Sequence, residues 1–172
     1  MLLLVQVLRA KLSAYNDIGC HILVSDNQFA IVVLTPIMLR SHETQESAGL
    51  CFVDSTASCD AQNHTVTFML APCAAGAVPL AVLITQGQAE SDYVAAFRLL
   101  RDHGGVQFGG VSYPQIFITD DSTAEQNSLA EVWPESDQKL CLFHVPQANW
   151  RWLWDATNNI AKNDRPVLIF PH

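Results

Sequence analysis

Between Leu50 and Thr85 the chain carries three apolar runs, Leu50-Cys51-Phe52-Val53-Asp54, Thr65–Leu70 and Val78–Thr85, with only turn-forming segments between them. Runs so close together leave no room for a crossover helix, so they are expected to pair antiparallel as a meander. Beyond Thr85 the period changes. Tyr93, Phe97 and Leu100 recur at helical spacing, Gly104 and Gly105 stop that helix, and Gln115–Asp120 returns to an apolar strand. Ser122 and Glu125 read as an S-x-x-E capping box opening a helix with Leu129, Val132 and Trp133 on its apolar side, followed by Pro134. Lys139–Val145 reads as a further strand and Gln147 onward as a helix. The order from Leu50 is β-β-β-α-β-α-β-α, an α/β architecture with a mixed sheet and flanking helices. Upstream, Met1–Leu8 reads as a buried strand or helix, Phe29–Thr35 as a strand, and Pro36–Glu46 as one helix opened by its proline.

Composition narrows the function. Of 172 residues 49 % are hydrophobic and 15 % charged, against about 25 % charged in an ordinary soluble domain, so the chain can bury a core without disulfide staples. Seventeen acidic residues against nine basic ones, a net charge of −8, exclude a free-standing basic module that grips nucleic acid by its phosphates. The cysteines, Cys20, Cys51, Cys59, Cys73 and Cys141, are odd in number and form no C-x-x-C, which fits a reducing compartment. No apolar run reaches the ~20 residues needed to span a bilayer.

The chemistry concentrates on carboxylates. Two of the apolar runs deliver an aspartate at their C-terminal ends, Asp54 and Asp120. Two carboxylates on neighbouring strands repel unless a cation lies between them, and their hard oxygens suit Mg²⁺ or Mn²⁺. The competing reading is that each simply starts a turn or caps a helix, and periodicity leaves both open. Cys141 and His144 form a C-x-x-H, too few ligands for a structural zinc site. His21, His42, His64 and His103 show no metal-ligand spacing, and neither a phosphate-binding Gly-rich loop with its lysine nor a G-x-S-x-G elbow occurs. Glu90 in a first helical turn complements the macrodipole, and the capping box accounts for Glu125. Trp150 and Trp154, at i, i+4 spacing, read as a packing pair, with base stacking as the alternative.

Taken together, Cys51–Thr56, Val78–Val82, Phe117–Ser122 and Leu140–His144 resemble the transposase domain of Mutator-like elements (MULE) over roughly residues 29–155. The resemblance implies a ribonuclease-H-like fold and a DDE-type transposase, in which two Asp and one Glu hold two divalent ions, Mg²⁺ or Mn²⁺, to cut and rejoin DNA. Asp54 matches the first Asp and Asp120 the second, with Asp121 as its neighbour; Cys141 and His144 match a site-supporting C-x-x-H, and Trp150 and Arg151 are candidates for DNA contact. Residues 1–45 are then an N-terminal lead-in strand and helix, 46–146 the ribonuclease-H-like core, and 147–172 the start of a helical insertion. The third acid of such proteins follows that insertion, so the chain is expected to end before it, to be inactive alone, and to leave one apolar sheet face open. The alternative is a domesticated or decayed, catalytically inactive nuclear DNA-associated or interaction module, and a further alternative is a ribonuclease-H-like nuclease, which would use Glu90. Transposon-end and target DNA are the partners implied, in the nucleus; a homo-oligomer is compatible, and neither a membrane nor a small-molecule cofactor is expected.

Overall fold

A computed structural model describes residues 2–162 and Asp164. Helix α1 (Leu2–Asp17) precedes strands β1 (His21–Val24) and β2 (Ala30–Leu34) and two short helices, α2 (Pro36–Ser41) and α3 (Gln45–Gly49). The predicted alternation follows: β3 (Leu50–Thr56), β4 (Thr65–Cys73), β5 (Gly76–Thr85), α4 (Glu90–His103), β6 (Ile116–Thr119), α5 (Thr123–Val132), β7 (Asp137–Leu140) and α6 (His144–Trp154). The strands form one sheet in the order β1-β2-β5-β4-β3-β6-β7. β3, β4 and β5 pair antiparallel, as their short connections require, whereas β6 joins β3 and β7 joins β6 in parallel, with α4 and α5 as crossovers.

Side-chain alternation gives the sheet two unlike faces. Val32, Cys51, Val53, Met69 and Leu83 point to the face covered by α4 and α5, where they meet Tyr93, Phe97, Leu100 and Leu129 in one core. Trp133, at the end of α5, contacts the rings of Phe97, Phe108 and Phe117 at centroid distances of 5.7, 6.0 and 5.3 Å. On the opposite face Phe52, Leu70 and Val82 are only half-buried and Phe68 is 39 % exposed.

Four local expectations are corrected. α1 is helical, but none of Val5–Asp17 is buried, because the helix lies against the edge strand β1 rather than in the core. The helix expected over Pro36–Glu46 is two. Thr35 caps α2 by accepting from the Met38 backbone N–H, and the chain then turns to bury His42, whose Nε2 donates to the Leu80 carbonyl at 3.1 Å. Burial pushes this imidazole down to about 4, against the opposing pull of the Leu80 and Gln107 carbonyls. β3 continues past Asp54, since Ser55 and Thr56 still pair with Thr67 and Val66. Finally, the strand read over Lys139–Val145 stops at Leu140; the Cys141 N–H makes a last bond to the Thr119 carbonyl at 2.7 Å, and His144 already belongs to α6.

Phe117 is fully buried on β6 beneath Trp133. Phe117→Ala is expected to cost about 3–5 kcal/mol of stability, read as a lower urea midpoint with an unchanged m-value; a loss under about 1 kcal/mol would contradict this packing.

Candidate functional site

The parallel ladder between β3 and β6 is short: Leu50, Cys51 and Phe52 face Ile116, Phe117 and Ile118. Continued by two residues, this register sets Asp54 beside Asp120, and there the strands part. The two aspartates therefore lie on either side of a fork at the sheet's C-terminal edge. Both line a cleft of about 350 Å³ that also takes in Ser55, Asp121, Ser122, His144, Gln147 and Arg151.

Asp54 is well exposed, and its Oδ1 lies 3.8 Å from His144 Nε2. Asp120 sits in the turn before α5, where its Oδ1 accepts the Ser122 N–H at 2.9 Å. The turn-starting role that competed with metal binding is thus realised on one oxygen of Asp120, and the side chain still lines the cleft. His144, Gln147 and Arg151 stand at i, i+3, i+7 on α6 and present one helical face to the acids. The sequence-predicted residues are brought together with two exceptions. Cys141 lies half-buried in the turn before α6, outside the cleft lining, and Trp150 stacks face to face on Trp154 at 3.8 Å while remaining 51 % exposed. Glu90 is elsewhere: it accepts from Asn127 Nδ2 at 2.8 Å and lines a separate cavity with Ser25 and Arg98, so the nuclease alternative built on it has no support from geometry.

Glu125 is the residue that the sequence reading misassigned. Ser122 Oγ does accept the Glu125 N–H, at 3.4 Å, but the carboxyl does not return to the cap. It turns inward, fully buried, and its Oε2 accepts from Ser55 Oγ at 2.7 Å, while Ser55 shares a second hydrogen bond with Thr67 Oγ1 at 2.8 Å. A signal was present: Glu125, Leu129 and Val132 lie at i, i+4, i+7, so the helix period itself sets Glu125 on the buried stripe. Burial, reinforced by the negative charges of Asp120 and Asp54, pushes Glu125 up to about 7 against the opposing Ser55 hydrogen bond. Burial, with the negative charges of Glu125 and Asp120, pushes the Tyr93 phenol up as well.

Among the described residues no group of three or more His, Cys, Asp or Glu is gathered closely enough to hold a metal. The donor set of Asp54 and Asp120 nevertheless fits a hard divalent cation such as Mg²⁺ or Mn²⁺, which is commonly held by one or two carboxylates, with water and substrate phosphate completing its shell.

Glu125 has a pH signature. Its proton is shed at about 7 in the folded chain and at 4.5 when unfolded, so its contribution to stability is complete below pH 4.5 and lost as pH rises to about 7. Glu125→Gln is expected to remove that downward slope in melting temperature. His42 acts oppositely, losing stability as pH falls from 6.5 toward 4, and cancels in the comparison of variant with parent; parallel melting curves for the two proteins would contradict a buried, protonated Glu125.

No curated protein matches the chain. The family model for the MULE transposase domain matches residues 50–148, from the first residue of β3 into α6 and including the whole acidic fork. With more than half its length matched, this chain belongs to the MULE transposase family.

Proposed function

We propose that this chain supplies the first two metal-binding carboxylates, Asp54 and Asp120, of a DDE-type transposase that cleaves and rejoins DNA, acting on transposon ends and target DNA in the nucleus. The observation carrying this reading is the β3–β6 register, which sets two aspartates distant in sequence side by side at an open cleft. The strand order β5-β4-β3-β6-β7, three antiparallel and then two parallel, supports a ribonuclease-H-like fold for the matched segment.

Asp54 and Asp120 would hold Mg²⁺ or Mn²⁺, which when bound supplies activation of a water or hydroxyl nucleophile and charge stabilisation at the phosphodiester. The chain's own residues provide the rest of the surface. Arg151 brings a fixed positive charge to a cleft otherwise bordered by three aspartates and can face a phosphate. His144 sets its ring beside Asp54, with Nε2 3.8 Å from Oδ1, and borders the same side of the cleft. The exposed Trp150–Trp154 stack on the same helix offers a platform for an unpaired base.

In the complete transposase, Asp54→Asn and Asp120→Asn are each expected to abolish strand cleavage of a transposon-end duplex in Mg²⁺; undiminished cleavage by either variant would refute the assignment. Arg151→Ala is expected to weaken DNA binding evenly across sequences and to reduce the log–log salt slope by about one, measured by fluorescence anisotropy at several salt concentrations. An unchanged slope would remove Arg151 from the phosphate contacts.

A further inference from the structure

The two strands that carry the acids are not held together where the acids stand. Ladder pairing between β3 and β6 ends at Phe52 and Ile118, so the segment from Val53 to Thr56 has β4 on one side and no strand on the other. The link across this fork comes from the helix-covered face. Glu125 is in the first turn of α5, the element that directly follows Asp120, and it receives the Ser55 hydroxyl from the residue directly after Asp54. Ser55 is in turn tied to Thr67, its cross-strand partner on β4.

Packing alone does not account for a glutamate there. The same helical stripe carries Leu129 and Val132, both buried, and an apolar side chain at 125 would fill the space without burying an acid. Instead the second carboxyl oxygen, Oε1, is buried with no hydrogen-bond partner, an arrangement that leaves its desolvation uncompensated.

We infer that Glu125 is a positioning residue for the two-carboxylate site: by holding Ser55 it fixes how far β3 stands from the start of α5, and with it the separation of Asp54 and Asp120. The inference rests on the reading of that pair as metal-binding. Glu125 is fully buried and stays out of the cleft lining, whereas Ser55, which it holds, borders the cleft between the two aspartates. Groups that orient first ligands in this way commonly change metal affinity by about 10–100-fold when removed.

The test is a Mn²⁺ titration of the full 172-residue chain followed by electron paramagnetic resonance, with a thermal melt of each variant. Glu125→Ala is expected to weaken Mn²⁺ binding about tenfold, and Glu125→Gln, whose amide oxygen still accepts from Ser55, to restore affinity close to that of the parent. Ser55→Ala cuts the same link with a smaller change in volume, is expected to reproduce the loss, and serves if Glu125→Ala does not fold. Parent affinity in folded Glu125→Ala and Ser55→Ala, accompanied only by lower melting temperatures, would overturn the inference and leave the metal reading standing. So would a Glu125→Gln variant as weak as Glu125→Ala, because charge rather than the Ser55 bond would then be at work. If the parent does not bind Mn²⁺, or Asp54→Asn binds it equally well, the metal reading fails and this inference falls with it.

Discussion

Three residue pairs, Leu50–Ile116, Cys51–Phe117 and Phe52–Ile118, mark the meeting of β3 with β6 and join the two halves of this molecule.

 Everything else in the architecture hangs on this junction. The antiparallel half, β3 to β5, forms from neighbours in sequence and needs only turns. The parallel half cannot, because parallel strands require a crossover, and α4 and α5 supply it while covering one face of the sheet. The aromatic contacts of Trp133 with Phe97, Phe108 and Phe117 hold these helices onto the junction.

Where the ladder stops, charge takes over. Asp54 and Asp120 stand at the open end of the fork, with Glu125 buried behind it, so three acids share a small region. Burial resolves part of the conflict by keeping Glu125 protonated to about neutral pH. Arg151, delivered by α6, resolves another part from the solvent side. The net charge of −8 therefore says little about the cleft, where Arg151 on α6 brings a positive charge to the acids.

The matched family segment and the site coincide. Residues 50–148 take in both aspartates, Ser55, Glu125 and His144, while β1 and β2 lie before the match and extend the same sheet through the β2–β5 pairing. Those strands still belong to the core, since Ala30, Val32 and Leu34 are buried in it.

Element order was legible in the residues because strand and helix periods are local properties, and each of the elements from β3 to α6 was anticipated in type and sequence. That Asp54 and Asp120 follow apolar strand runs was legible for the same reason, although β3 continues two residues past Asp54. Edges were less so: β1 is a four-residue edge strand with too few positions to show alternation, and the break between α2 and α3 depends on a distant acceptor, the Leu80 carbonyl, for the His42 side chain. The S-x-x-E pattern correctly located the start of α5 and misplaced the Glu125 carboxyl, because a local motif can report a cap but not the competing partner on β3. By itself, then, the sequence determined which segments are strands and helices and which carboxylates lie toward their C-terminal ends. Only the tertiary structure decided that Asp54 and Asp120 face one cleft and that Glu125 turns away from its own helix to hold Ser55, because periodicity specifies the face of an element whereas long-range register specifies its neighbour.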